Sequence, residues 1–259
     1  MSVLDSIIEG VREDLAARRL PLAQINEALS AAPSVVDVHP RLLAEPMNII
    51  AEVKRSSPSK GVLGVIANPV ELAQQYEAAG AVMVSVLTER RRFNGSLEDL
   101  IAIRAGIDIP LLRKEFMIDE YQFLEARAAG ADAVLLIVAA LSKSQLRDYY
   151  DLATELGMAA LVEVHTPAEI EDALEITPRI IGVNCRNLKT LEVDTSAFHT
   201  LIPQIPQEVI RIAESGISMR SEVIAAQQAG ARAILVGETL VRAGNPAKEF
   251  DALLGRTQG

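Results

Sequence analysis

The chain has 259 residues, and its 25 Lys+Arg against 35 Asp+Glu give a formal net charge of −10. With 49% hydrophobic and 23% charged residues it has globular rather than disordered composition, and its acidic balance disfavours nucleic-acid binding, which needs clustered cations. The single cysteine, Cys185, excludes an intrachain disulfide, no basic segment followed by an apolar stretch opens the chain, and the longest apolar run, 133–141, falls short of the ~18 residues of a membrane helix, so a cytoplasmic protein without membrane contact is expected.

Residues 5–19 and 22–31 read as helices, and Pro33, Pro40 and Pro46 interrupt the stretch from 32 to 48. Residues 1–48 are therefore an expected helical extension ahead of 49–259. Val- and Ile-rich runs then recur at 49–53, 81–87, 110–112, 133–138, 159–164, 180–183, 209–213 and 233–236. Nearly continuous apolar runs imply strands buried on both faces, as in a parallel sheet. Between them lie amphipathic stretches such as 69–79, with Pro69 near its start. Gly80, Gly106, Gly130, Gly157 and Gly230 each separate a helical pattern from the next strand. Glycine ends a helix there because a positive φ costs it little. This regular repeat predicts an α/β chain folded as one domain over 1–259, a closed (β/α)8 TIM barrel with an N-terminal helical extension. An open doubly wound sheet would more commonly carry a Gly-x-Gly-x-x-Gly turn, which is absent.

Chemistry in such barrels sits at the C-terminal strand ends and the loops beyond them. There the sequence breaks its apolar runs with Glu52-Val53-Lys54, Arg113-Lys114, Glu163-Val164-His165, Asn184-Cys185-Arg186, Glu214-Ser215-Gly216 and Gly237-Glu238. One such charge is more often a solvated rim residue or a simple ion pair. A converging set of lysines and carboxylates, partly desolvated, suits general acid–base work. The loops at 54–61 and 90–95 are rich in Lys and Arg, which favours an anionic ligand, although Arg90 and Arg91 read equally well as solubility charge. Small residues at 215–217 and 237–239 form an expected phosphate cradle after the seventh and eighth strands. His39, His165 and His199 show no metal-ligand spacing, and Cys185 lies in an apolar run and reads as structural.

Taken in order, Ile50-Ala51-Glu52-Val53-Lys54-Arg55-Ser56-Ser57-Pro58-Ser59, Ser85-Val86-Leu87-Thr88-Glu89, Phe93-Asn94-Gly95-Ser96, Leu112-Arg113-Lys114-Glu115-Phe116, Gly182-Val183-Asn184-Cys185-Arg186-Asn187-Leu188 and Ala213-Glu214-Ser215-Gly216-Ile217 resemble the indole-3-glycerol phosphate synthase family. The resemblance runs from the N-terminal extension to the last strand. It implies cofactor-free closure of 1-(2-carboxyphenylamino)-1-deoxyribulose 5-phosphate to indole-3-glycerol phosphate, with loss of carbon dioxide and water, in tryptophan biosynthesis. It implies Lys114 as the general acid, and Glu163 and Glu52 as carboxylates for later proton transfers. Lys54 would hold the substrate carboxylate and act as a second acid, while Asn184 and Arg186 position the substrate. Ser57, Glu214, Ser215, Gly216, Gly237 and Glu238 fall at further substrate-binding positions, most of them near the phosphate. Phe93, Phe116, Leu135 and Leu188 would form the apolar wall for the aryl ring. The family's usual Lys-Asp-Phe is here Lys114-Glu115-Phe116, with Glu115 expected to point away from the lysine. At the eighth strand Glu238 stands where many relatives carry Ser. Association with other enzymes of the pathway is left open. The alternatives are another sugar-phosphate barrel, an isomerase or a Schiff-base aldolase, and a phosphate-ligand binder without chemistry.

Overall fold

The computed structural model describes residues 2–187 and 190–256. Among them, eight parallel strands close into a barrel: β1 (Asn48–Val53), β2 (Met83–Leu87), β3 (Leu111–Lys114), β4 (Ala133–Ile137), β5 (Ala159–Val164), β6 (Ile180–Asn184), β7 (Ile210–Glu214) and β8 (Ala233–Val236). Neighbours in the chain are neighbours in the barrel, and β1 pairs with β8 to complete it. A short antiparallel hairpin, Ser56–Ser57 against Gly61–Val62, rises from the loop after β1.

Side-chain alternation sorts the apolar runs into two cores. Ile49, Ala51 and Val53 of β1 face the helices, whereas Ile50 joins Met83, Leu112, Leu135, Leu161, Ile212 and Leu235 inside the barrel. The helices start where the sequence supplies caps. Asn68 accepts the amides of Val70 and Glu71 ahead of Pro69, and Ser96, Asp119, Ser142 and Thr166 cap the helices that follow β2, β3, β4 and β5. Gly80, Gly130, Gly157 and Gly230 take positive φ as expected. Gly106 does not. A Cβ there would lie 2.5 Å from Val70 Cγ1, so close helix packing, and not a left-handed turn, is what excludes a side chain at that position.

The extension folds as two helices, Val3–Arg18 and Leu22–Ala31. The first begins ahead of the expected residue 5 because Ser2 and Asp5 form a reciprocal capping box. Its Leu4, Ile7 and Val11 join the interior barrel core, and Val38 and Leu42 join the same core from the short helix His39–Leu42 and the residue before it. Leu42 O accepts from Asn48 Nδ2 at the start of β1, which puts that short helix at the N-terminal mouth. Arg18 donates twice to Glu125, at 3.0 and 3.1 Å, and Glu125 also accepts from the fully buried Arg113 of β3 at 2.7 Å. Arg91 binds Glu13 and Asp14, each at 2.7 Å, and Arg92 binds Ser6 Oγ at 2.9 Å. This corrects one expectation for the loop at 90–95: Arg91 is a strap on the extension and not free solubility charge.

Candidate active site

The inward face of the strand ends carries Glu52, Lys114, Glu163, Asn184 and Glu214. The register sets Glu163 beside Gly182 and Asn184 beside Glu214. These side chains line a cavity of about 670 Å³ at the C-terminal mouth of the barrel. Two glycines make room for them. A Cβ on Gly182 would overlap Glu214 Oε1, and one on Gly237 would lie 2.5 Å from Glu52 Oε2.

Lys114 is the electrostatic centre. Its Nζ lies 3.0 Å from Glu163 Oε2 and is also bonded to Glu214 Oε2. Burial opposes the lysine's charge, but Glu214, Glu163 and Glu52 outweigh it and raise its pKa well above the ordinary lysine value. Burial likewise opposes ionisation of Glu163, yet Lys114 and then His165 hold that carboxyl far below its usual range. Glu214 goes the other way: burial, aided by the charge of Glu163 and countered by Lys114, pushes it up to about 7. Two carboxylates sharing one cation have thus been driven apart in acidity, an arrangement suited to a proton donor and an acceptor in one site. Lys54 pairs with Glu52 beside them.

The same cavity is lined by Ser57, Phe93, Phe116, Leu135, Arg186, Ser215, Gly216, Gly237 and Glu238. Phe93 and Phe116 stand 6.2 Å apart between ring centroids, with Leu135 on the same apolar side. Opposite, Ser215 and Gly216 take successive positive φ values of 70° and 68°, and Gly237 precedes the helix Glu238–Ala243, whose first amides have no acceptor within the helix. Thr239 Oγ1 donates to Ile217 O at 2.8 Å and joins the two loops. Arg186 reaches over to the loop after β1, donating to Ser59 Oγ at 2.9 Å. Glu115 does point away from Lys114, accepting from Thr88 Oγ1 at 2.7 Å. Cys185 is buried, its Sγ is 3.4 Å from Ser215 O, and burial raises its thiol to about 12. Leu188 lies outside the described residues.

Some contributors escape the strand-end reading. Leu4 and Ile7 of the extension line the cavity, and their helical spacing with Val11 was the available signal. Arg242 also lines it and pairs with Glu238 at 3.0 Å. Gly182 has no strand-end signal of its own, since its role depends on a side chain from the neighbouring strand.

The family model described as indole-3-glycerol phosphate synthase matches residues 4–253. An indole-3-glycerol phosphate synthase of Rhodococcus opacus is 54% identical over 250 residues, covering 96% of this chain and 93% of that one. Another, of Micrococcus luteus, is 52% identical over 259 residues and covers 97% of each. Among solved structures, a 3-hexulose-6-phosphate synthase superposes with a TM-score of 0.65 at 16% identity, covering 81% of this chain and 99% of that one. A tryptophan synthase complex from Pyrococcus furiosus gives 0.61 at 15%, covering 80% and 98%. These two share the barrel fold. The model match and the relatives at over 50% identity, spanning nearly the whole chain, establish that it belongs to the indole-3-glycerol phosphate synthase family, decarboxylating lyases of tryptophan biosynthesis.

Proposed function

We propose that the cavity closes the indole ring of 1-(2-carboxyphenylamino)-1-deoxyribulose 5-phosphate, releasing carbon dioxide and water. The observation that carries this reading is Lys114, buried and charged between Glu163 and Glu214, with an apolar wall on one side and an amide-rich cradle on the other. The aryl ring fits against Phe93, Phe116 and Leu135, and the phosphate fits at Ser215, Gly216, Gly237 and Glu238, the last through its backbone amide. Ser57 Oγ, buried without a hydrogen-bond partner among the described residues, is a further donor for the ligand.

As the aryl carbon attacks the sugar carbonyl, Lys114 gives its proton to the carbonyl oxygen and the new carbon–carbon bond forms. The carboxylate on the attacking ring carbon then leaves as carbon dioxide, and its bonding electrons restore the ring. Loss of the new hydroxyl as water needs an acid at that oxygen and a base at the neighbouring sugar carbon. Lys54 serves as the acid, and Glu163 and Glu52 serve as the carboxylate bases, with Asn184 and Arg186 orienting the chain. Glu214 tunes Lys114. The strong charge on Lys114 argues against a Schiff-base aldolase, which needs a neutral amine as nucleophile. A cytoplasmic location, one structural unit over 1–259 and a small sugar-phosphate ligand complete the reading. Incubation with the carboxyphenylamino sugar phosphate tests it, with indole fluorescence and carbon dioxide released in equal amounts as the expected result.

A further inference from the structure

Glu163 is engaged at both of its oxygens. Lys114 takes Oε2, and His165 Nε2 lies 3.3 Å from Oε1, an ion-pair contact. His165 is two residues along the chain from Glu163, just past the end of β5, and its side chain is only 10% exposed. Its other ring nitrogen, Nδ1, lies 3.0 Å from Glu169 Oε2, which also accepts the backbone amide of His165 at 2.8 Å. Glu169 stands in the first turn of the helix Pro167–Leu174, where a carboxylate is favoured, and Thr166 Oγ1 fixes that turn by accepting the Glu169 amide. Each imidazole nitrogen therefore faces a carboxylate oxygen. Nε2 is buried, and its approach to Glu163 Oε1 is an ion-pair contact without hydrogen-bond geometry, so it has no hydrogen-bond partner among the described residues. A neutral imidazole would set a lone pair against one of these anions, whereas the doubly protonated ring turns an N–H toward each: a hydrogen bond at Glu169 and an ion-pair contact at Glu163.

We infer that His165 is a positioning residue for the reaction: an imidazolium clamped by Glu169 that fixes Glu163 Oε1 and keeps that carboxylate ionised, leaving Oε2 to Lys114 and the substrate. The charged groups around it agree. Glu163 comes from β5 and Glu169 from the following helix, while Lys114 and Glu214 meet Glu163 and not the imidazole. The turn Val138–Ala140 and strands β4 and β6, which pack on β5, carry no ionisable side chain, and the helix Lys143–Glu155, which also packs on β5, turns Lys143 to Asp172 and Glu175 and Arg147 to Glu175 O. Burial works against the ring's charge, but Glu163 and Glu169 raise its pKa to about 10. The inference rests on the functional reading above, since it gives His165 a task in that same reaction.

The test compares wild type with His165→Gln and Glu169→Gln. Nitrogen-15 NMR of the wild-type ring is expected to show both nitrogens protonated from pH 6 to 8.5. In His165→Gln the acid limb of the kcat–pH profile is expected to move up by about one pH unit, with kcat on that limb reduced about tenfold and KM within threefold. Glu169→Gln, which keeps the imidazole, is expected to shift the limb in the same direction by less. A neutral ring at pH 7 overturns the inference, as does an unmoved limb in the variants. Should His165→Gln not fold, the NMR result and Glu169→Gln decide the matter. A wild type without synthase turnover would bring down the functional reading and this inference with it, whereas an active wild type with unaltered variants overturns this inference alone.

Discussion

Lys114 Nζ and Glu163 Oε2 meet at 3.0 Å although 49 residues separate them in the chain. Their meeting follows from parity. Each is an inward residue at the C-terminal end of its strand, and closing the barrel turns two distant strand ends into neighbours across one small cavity. The pair takes its chemistry from burial, because a lysine and a carboxylate at the same distance in water would barely perturb one another.

Replacing Lys114 with Ala is expected to lower kcat by ~10²–10⁴-fold, the usual worth of a positioned general acid. KM should stay within a few-fold, because the lysine acts on charge that develops only in the transition state. Steady-state kinetics by indole fluorescence check this, and a kcat within twofold of wild type would remove Lys114 from the role.

The elevated pKa of Glu214, about 7, places a titration within the working range. Below it the carboxyl is neutral and the cavity more receptive to a substrate bearing carboxylate and phosphate. KM is therefore expected to rise as pH climbs through 7, and Glu214→Gln should abolish that rise. A pH series on both proteins decides it, and an identical rise in the variant would assign the titration elsewhere.

Gly182→Ala places a methyl group against Glu214, 3.0 Å from its Cδ and 3.0 Å from Leu161 Cδ1. Displacement of Glu214 should cost kcat/KM ~10²-fold, as misplacement near the reacting groups does, with circular dichroism unchanged. Wild-type kinetics in a folded Gly182→Ala would show that the position of Glu214 is immaterial.

Much of this site was legible from the sequence because strand parity and strand ends are local properties. Glu52, Lys54, Lys114, Glu163, Asn184 and Glu214 each interrupt an apolar run at the position where the next inward side chain falls. What the sequence hid depends on partners met only in space. The basic loop at 90–95 gave no sign that Glu13 and Asp14 would claim Arg91. Gly106 resembled the other helix-ending glycines, and only the neighbouring helix reveals that packing holds it. His165, set aside for lack of metal-ligand spacing, gains its meaning from Glu163 and Glu169 together.

Glu125 joins the extension to β3 through Arg18 and Arg113. Glu125→Ala takes from the buried Arg113 guanidinium its hydrogen-bonded carboxylate and leaves it only Glu115 at 4.0 Å, which should cost about 3–5 kcal/mol of stability. Urea unfolding measures this, and a loss under ~1 kcal/mol would show that the remaining bonds of Arg113 to Gln122 O and Thr88 Oγ1 suffice.

Stability should also report His165. Its pKa is raised from 6.5 to about 10 on folding, so its contribution is complete below about pH 6.5 and is lost as pH rises toward 10. Glu163, lowered from 4.5, contributes above that value and loses its contribution as the pH falls. The stability gap between wild type and His165→Gln is thus expected to be widest between pH 4.5 and 6.5 and to shrink toward pH 10. Denaturation midpoints across that range test it, and a gap that widens with pH would contradict it.

The assigned chemistry is tested at its root by a single-turnover reaction of the purified protein with 1-(2-carboxyphenylamino)-1-deoxyribulose 5-phosphate, followed by indole fluorescence and carbon dioxide release and run beside Lys114→Ala. One indole and one carbon dioxide per active site are expected from the wild type, with the variant slowed at least ~10²-fold. Binding of the sugar phosphate by the wild type without either product would be incompatible with a ring-closing site built on Lys114.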